Sequence, residues 1–331
     1  MDDLRVLGTK PVPKLIDDMS ISEQIDFIQD EYTVKEDMLS SCYEMEKTCT
    51  SYMNQSATIE CRKMIPKDPL WVRYSLEAWT LNESLKKVLQ KFEEYFPKVY
   101  NYIQGFVILR VKSSIMTCEK WVNIISDTNK NQDKIDKIFQ DSTVKTAKVE
   151  FVSEMLLKAS ACYTELLNHA NNLKGFKSVG ESDADKKKLE ELTVMPASYN
   201  TYLEKKKLVD DAQPSQKEGN PQTTGFTYKD GGWDDPSKIA NLIDAMKKVT
   251  STLESIKRLQ AITSDMVKEL KKEQKGESAD KNLIKDLNEQ KIKFLKEFSK
   301  NILSGMMKDI GDVTSMSAQN CRSFANKYES E

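Results

Sequence analysis

The sequence is poor in helix breakers, with 11 glycines and 9 prolines in 331 residues. Between their clusters, six long stretches repeat apolar residues every three to four positions, as amphipathic α-helices do. Charged residues make up 31% of the chain, which is typical of long bundles and coiled coils. The sequence therefore predicts an all-α protein, an elongated antiparallel bundle of long helices with one irregular loop.

Several kinds of chemical site are also absent from the sequence. His169 is the single histidine, the six cysteines are scattered without a CxxC pair, and no glycine-rich phosphate loop occurs. Cys162 and His169 lie two helical turns apart, about 10 Å along the axis, which is too far for a catalytic hydrogen bond. We therefore expect no catalytic residue, no metal, no cofactor and no enzymatic activity.

Arginine is scarce as well, and this bears on possible partners. Six of the fifty basic residues are arginine, and the net charge is −2. Because arginine is favoured for phosphate and base recognition, a nucleic-acid partner is not expected. The six cysteines are expected to be core thiols rather than disulfides.

The sequence contains no run of about 18 uncharged apolar residues, so a transmembrane helix is not expected. The N-terminus has no apolar signal region. We expect a chain made as a soluble protein without a signal peptide, secreted by a non-classical route if it is a toxin and cytoplasmic otherwise.

The breaks divide the chain into an irregular N-terminal arm, residues 1–19, and a single elongated helical bundle, residues 20–331. Ser20 and Glu23 form a capping-box pattern at the start of the first helix. Residues 213–235 form a loop, in which Asp230-Gly231 could turn a small β-hairpin. Six helices are predicted, over residues 20–65, 69–128, 133–174, 183–212, 236–275 and 279–326, with a turn at 129–132.

Two apolar stripes give the predicted packing of particular helices. The first helix carries one stripe that begins at Ile25, Ile28 and Tyr32 and continues through Leu39, Cys42, Met45 and Cys49. The fifth helix has a strict 3-4-3-4-3 seam from Ile239 to Ile256, and its phase shifts at Leu259 as at a stutter.

The second helical region contains the most apolar part of the chain. Pro97 is expected to kink this helix or divide it in two. Residues 99–125 are apolar nearly all round, which predicts a central helix. Its first part, residues 99–116, could leave the bundle in a conformational change, or it could remain a buried core helix. The possible switch segment comprises Pro97, Val99, Ile103, Phe106, Val107 and Leu109.

Two interruptions have more apolar side chains than a turn needs. One is the tip at 175–180, with Phe176 and Val179, and the other is the loop with Phe226, Tyr228 and Trp233. Aromatic side chains favour membrane–water boundaries and protein interfaces. These five residues are candidate membrane or partner contacts; alternatively, the aromatic side chains fold back onto their own helices.

This organisation resembles the helical pore-forming toxins, which include cytolysin A and the smaller subunit of the α-xenorhabdolysin type. The resemblance lies in the architecture of residues 20–326 and extends to no diagnostic motif. It implies a soluble form that rearranges and oligomerises on a lipid membrane, with or without a second protein subunit. The alternative class is a non-enzymatic coiled-coil scaffold, an adaptor or a membrane-curvature module.

Overall fold

The computed structural model describes residues 15–63, 70–126, 128–140, 146–175, 195–212, 225–274 and 281–330, together with residues 184, 187 and 191. The described residues confirm the all-α fold class. They include ten α-helices with described bounds: α1 (Ile21–Lys63), α2 (Leu70–Tyr102), α3 (Ile108–Ser126), α4 (Thr128–Gln140), α5 (Val149–Gly175), α6 (Ala197–Ala212), α7 (Pro236–Glu254), α8 (Ile256–Gln274), α9 (Lys281–Glu297) and α10 (Met307–Ser330). Two π-helical segments, π1 (Ile103–Val107) and π2 (Phe298–Met306), join α2 to α3 and α9 to α10.

The first helix begins where the capping box predicts. The Ser20 backbone N–H donates to a Glu23 carboxylate oxygen at 2.7 Å, and the Glu23 N–H donates to the Ser20 hydroxyl at 3.3 Å. The end of the predicted arm is ordered, because Ile16–Asp18 form a short 3-10 helix. The Ile16 N–H donates to the Ser113 hydroxyl at 2.8 Å, which holds this turn against α3.

Cross-helix contacts give the direction of each helix. Lys98 pairs with Asp37 at 2.8 Å and Lys91 with Glu44 at 2.6 Å, so α1 and α2 are antiparallel. Helix α7 is antiparallel to α3, because Glu119 pairs with Lys247 and Glu254 with Lys112, each at 2.8 Å. Both pairs of neighbouring helices are therefore antiparallel, as the prediction states.

Helices that are distant in sequence pack in parallel, which the antiparallel prediction did not include. Arg110 of α3 donates to Ser315 of α10 at 2.8 Å, and Trp121 lies 5.5 Å from Phe324 between ring centroids. The hydroxyl of Ser160, in α5, lies 2.7 Å from the hydroxyl of Thr252, in α7. In a chain whose helical paths alternate in direction, two paths are parallel when an odd number of other paths lies between them.

The predicted third helix, 133–174, and the turn predicted before it are wrong. Residues 128–140 form α4, so 129–132 are helical, and a new helix begins only at Val149. Between them, the Thr146 N–H donates to the Phe226 carbonyl at 2.9 Å, and the Phe226 N–H returns the bond at 3.0 Å. The residues around Thr146 are rich in threonine and valine, whose β-branches disfavour a helix.

The predicted fifth helix is divided at Ser255 into α7 and α8. The Ser255 N–H bonds the carbonyls of Thr252 and Leu253, so the α-helical ladder stops there for one residue. The seam before the break is buried as predicted, and its change of phase follows the break. The buried seam residues are Ile239, Leu242, Met246, Val249 and Leu253.

Candidate functional site

Pro97 does not divide its helix, so that alternative of the prediction is wrong, and the other alternative, a kink at Pro97, stays a prediction. Helix α2 continues through Pro97 to Tyr102. Proline removes the bond to the carbonyl of Glu93, but both residues are exposed, so water can satisfy that carbonyl. The ladder changes instead at π1, where the Ile108 N–H bonds the Ile103 carbonyl five residues back.

The predicted switch segment lies mainly in the core of the bundle. Val99, Ile103 and Val107 are at most 1% exposed, and Phe106 and Leu109 are half-buried. Helices α7 and α10 pack against the α3 portion, and α1 packs against α2. In this state the segment is therefore a central core helix, and only Pro97 among the predicted switch residues is exposed.

Three long helical paths depart from α-helical geometry in the middle of the bundle. The first departure is π1, and the second is π2, whose Ser299 and Ser304 contact Tyr95. The third is the break at Ser255, next to the Glu254–Lys112 ion pair. Residues 95–112, together with Glu31, Ser255 and residues 298–315, are called the mid-bundle layer below.

Each π segment contains a glycine, and these glycines are a sequence signal for the π segments that apolar periodicity does not include. Gly105 lies in π1 and Gly305 in π2, each in an otherwise apolar helix. A π-turn inserts one extra residue into the helix, and such insertions are frequent at functional sites. An isolated glycine inside a strong helical pattern could have marked both positions.

A partly buried ion pair crosses the mid-bundle layer. The Arg110 guanidinium pairs with the carboxylate of Glu31, whose side chain is 9% exposed. Arg110 also donates to Ser315 at 2.8 Å, but its Nε has no hydrogen-bond partner among the described residues. A buried charge pair of this kind gives little net stability, since removing two charges from water offsets their attraction.

Other buried polar contacts lie at the opposite side of the layer, around Tyr95. The Tyr95 hydroxyl donates to the Ser299 carbonyl at 3.0 Å and lies 2.7 Å from the Ser304 hydroxyl. The Ser299 hydroxyl has no partner in the described part of the chain. Burial raises the pKa of Tyr95 well above its usual value, so the phenol stays neutral.

A second acidic group lies at the edge of the layer, between α6 and α10. The Tyr202 hydroxyl donates to Asp309 at 2.6 Å, and Lys206 lies 3.7 Å from the same carboxylate. Burial is the main cause that raises the pKa of Asp309, and the Tyr202 hydrogen bond opposes it. Burial likewise raises the pKa of Tyr202. The carboxylate is therefore held in an unfavourable environment when it is charged.

In the part of the chain that the structure describes, the cysteine and histidine side chains form no reactive constellation. Burial raises the pKa of the Cys162 thiol to about 12, so it is protonated at neutral pH and is a poor nucleophile. The His169 Nδ1 atom is buried without a partner among the described residues. No group of three or more His, Cys, Asp or Glu residues in the described ranges could hold a metal ion.

Two of the three aromatic contact candidates are buried, so their prediction as exposed contacts is wrong for this state. Trp233 is 0% exposed, its indole N–H donates to the Ala147 carbonyl at 3.1 Å, and its carbonyl accepts from Trp121 at 3.0 Å. Tyr228 packs edge-on against Phe324 at 4.3 Å. These aromatic side chains hold the loop against the end of the bundle.

The third aromatic candidate, Phe226, is half-buried beneath the Lys148 ammonium group at 4.4 Å. Its backbone pairs with Thr146, and residues 228–234 form a turn, so the described part of the loop contains no β-hairpin. Phe176 and Val179 lie outside the described residues, and their role remains a prediction.

The first helix has two apolar stripes where one was predicted. Met38, Cys42, Met45 and Cys49 face the core, but Leu39 does not. The second stripe faces outward, and we call it the α1 seam. It comprises Ile21, Ile25, Ile28, Tyr32, Leu39 and Tyr43, which are 79%, 57%, 55%, 61%, 40% and 68% exposed.

None of the helices, as far as the structure describes them, is long and apolar enough to cross a membrane. Comparison with known proteins found no matching family model, no matching curated protein and no matching solved structure.

Proposed function

We propose that this chain is an α-helical pore-forming protein of the toxin type. Its closed bundle opens at the mid-bundle layer, engages a lipid membrane and assembles with further copies, with or without a second protein subunit. The observation that carries this proposal is that π1, π2 and the Ser255 break all lie between the levels of Tyr95 and Lys112, a stretch of about 26 Å along the second helical path.

The helix departures are suitable hinges. An α-helix bends where its ladder is already interrupted, and π-turns are common places for such bends. When neighbouring helical paths are interrupted close together, the bundle can open there without breaking intact helices elsewhere. The same interruptions scattered along the rod would not permit a common movement.

The polar contacts of the layer favour a movement at this place. The Arg110–Glu31 pair and the unpartnered Ser299 hydroxyl gain hydration when the layer opens. The apolar side chains beside them lose their burial, at roughly 1.5–3 kcal/mol each. A membrane or a neighbouring protomer offers these side chains a second burial, which gives the open form its driving force.

Vesicle leakage tests the proposal. The purified chain is added to dye-loaded phosphatidylcholine vesicles, with and without phosphatidylserine, and the products are viewed by negative-stain electron microscopy. Dye release accompanied by ring-shaped assemblies supports pore formation. A chain that leaves every vesicle intact and does not change its size with lipid or detergent contradicts it.

The remaining contact candidates are tested in the same assay. Phe176→Ser together with Val179→Ser should weaken vesicle binding if the tip touches lipid. The matched control is Leu208→Ser, which changes an apolar residue that is 40% exposed on α6. Equal loss of binding in both variants would remove the tip from consideration.

A coiled-coil scaffold is the second candidate, and the exposed α1 seam favours it. Exposed apolar stripes at heptad spacing are typical partners of other helices. A scaffold would bind without leakage. A membrane-curvature module would also bind without leakage, but would turn vesicles into tubules.

A further inference from the structure

The α1 seam stands out from the rest of the surface. Nine large apolar side chains are exposed in the described part of the chain, and six of them form this seam. The other three, Leu157, Leu203 and Leu208, lie on α5 and α6. A continuous exposed apolar stripe on a surface helix marks an interaction site.

The first half of α1 is also weakly attached to its own bundle. Between Ile21 and Asp37, Glu31 is the one buried residue. The apolar attachment in this half comes from Val34 and from Phe27, whose ring lies 5.3 Å from Phe106. This half of the helix therefore shows its more apolar face to the outside.

The spacing of the seam is symmetric about Tyr32. Leu39 and Ile25 lie seven residues to either side of it, and Tyr43 and Ile21 lie eleven residues to either side. Ile28 lies four residues before Tyr32, and Glu36 occupies the matching place after it. A sequence of positions that reads the same in both directions is self-complementary in an antiparallel helix pair, because an interface with a two-fold axis joins each residue to its mirror position.

We propose that the α1 seam is the interface of a homodimer, in which the α1 helices of two copies pack antiparallel across a two-fold axis at Tyr32. Residue i of one copy then faces residue 64 − i of the other. Ile25 faces Leu39 of the second copy, and Ile21 faces Tyr43. This inference is independent of the proposed function and does not require a membrane.

Charge favours the antiparallel pair over a parallel one. In a parallel pair the exposed Glu36, one turn after Tyr32, would lie near Glu36 of the second copy, and like charges at a helix interface are destabilising. In the antiparallel pair Glu36 falls beside Ile28 of the second copy, and Lys35 keeps its ion pair with Asp312 of its own bundle at 3.4 Å. The exposed acids Asp26 and Asp30 are turned about 120–170° away from the centre of the seam at 100° per residue.

The area is sufficient for a specific but modest interface. Covering six such side chains removes on the order of 600 Å² from each copy, or about 1,200 Å² in all, the lower limit of specific interfaces. We therefore expect a reversible dimer that forms in the micromolar range rather than a permanent one.

Single cysteine substitutions test the two-fold axis directly. Tyr32→Cys should form an oxidised covalent dimer, because the two new thiols meet at the axis. Ile21→Cys alone and Tyr43→Cys alone should not cross-link, but the chain with both substitutions should. The five native cysteines in described positions are buried, and the wild-type chain supplies the background. Equal cross-linking at all three positions would indicate a parallel pair and overturn the proposal.

Sedimentation velocity in lipid-free buffer provides the second measurement. Ile25→Asp and Leu39→Asp should each weaken dimerisation at least tenfold, while Ile25→Lys combined with Leu39→Asp should restore it, because the two changes face each other. Leu208→Asp, with the same 40% exposure as Leu39, is the control and should not change dimerisation. A wild-type chain that stays monomeric up to a hundred-micromolar concentration, about 10⁻⁴ M, would also overturn the proposal.

Because this test contains no lipid, its failure is distinguishable from failure of the proposed function. A monomeric chain that still releases dye would refute the dimer alone. A dimeric chain that never releases dye would leave the dimer intact and contradict pore formation.

Discussion

At the scale of single residues, two polar contacts cross the core between helices that are distant in sequence. The Arg110–Glu31 pair spans α3 and α1, and the Asp309–Tyr202 pair spans α10 and α6. Neither pair could be predicted from the sequence, because charged residues are abundant along every helix and helical periodicity does not identify their partners. Both pairs can be examined by substitution.

The Arg110–Glu31 pair should stabilise less than its burial suggests. Glu31→Leu alone should lower the free energy of unfolding by about 2–4 kcal/mol, because it leaves the Arg110 charge buried without its partner. Glu31→Leu combined with Arg110→Met should recover most of the loss or exceed the wild type. Urea denaturation of the four proteins of this cycle measures the effect. A double variant as unstable as the sum of the singles would contradict the prediction.

The buried Asp309 should make stability depend on pH in a definite direction. Its pKa is raised above the usual 3.8, so the folded protein binds this proton more tightly than the unfolded chain does. The charged form therefore costs stability at pH 7, and the cost disappears as the pH falls through the raised pKa towards 3.8.

Asp309→Asn should accordingly raise the free energy of unfolding at pH 7, and the gain should shrink as the pH is lowered. Thermal unfolding from pH 7 to pH 4 measures the difference. Tyr202→Phe is a control with the opposite expected sign, because losing the Tyr202 hydrogen bond should lower the free energy of unfolding by about 1 kcal/mol at pH 7. If the Asp309→Asn protein is less stable than the wild type at pH 7, the attraction between Lys206 and the Asp309 carboxylate is larger than the cost of burying that carboxylate.

At the scale of helices, the sequence predicts what periodicity encodes and misses what lies outside it. The capping box at Ser20 and Glu23 and the seam of α7 were predictable, because both are local patterns. The end of α4 and the place of Trp233 were not, since they depend on Thr146 and Ala147 meeting a loop about 80 residues away. Helical spacing alone also could not tell which stripe of α1 faces the core.

Alanine substitutions at Gly105, in π1, and at Gly232, in the loop turn, should change the stability of the protein in opposite directions. Gly105 in π1 has no neighbouring atom within 4 Å of an added Cβ, so Gly105→Ala should stabilise by about 0.5–1 kcal/mol. Gly232 has φ of 77°, and an added Cβ would lie 2.6 Å from Lys238. Gly232→Ala should therefore destabilise by about 1–2 kcal/mol. Thermal unfolding of the two variants measures both signs, and equal signs would contradict this account.

The two halves of α1 should differ in hydrogen exchange. Amides of residues 21–33 should exchange faster than those of residues 38–52, because the second segment is anchored by Met38, Met45 and Cys49. Mass spectrometry of a dilute sample measures the difference. Raising the protein concentration should protect the first segment if the seam dimerises. Uniform protection of α1 in a dilute sample would contradict the weak attachment.

At the scale of the whole molecule, the mid-bundle layer links stability to the proposed opening. Stabilising the closed bundle by about 1.4 kcal/mol relative to the open one should slow leakage about tenfold. The Glu31→Leu, Arg110→Met protein is suited to this test, since its changes are confined to the layer. Where its free energy of unfolding exceeds that of the wild type, its rate of dye release should be lower, while its initial vesicle binding should not change. Unchanged leakage from a demonstrably stabilised protein would place the opening elsewhere.

The parallel packing of α3 against α10 also has a consequence for the order in which the chain folds. About 200 residues separate Arg110 from Ser315, and Trp121 from Phe324. During synthesis, the most apolar helix emerges long before the helix that covers it, and a domain dominated by such distant contacts folds slowly. A chain that ends before α10 should leave Trp121 uncovered and aggregate, and a ribosome-bound nascent chain should depend on chaperones until its last fifty residues are made.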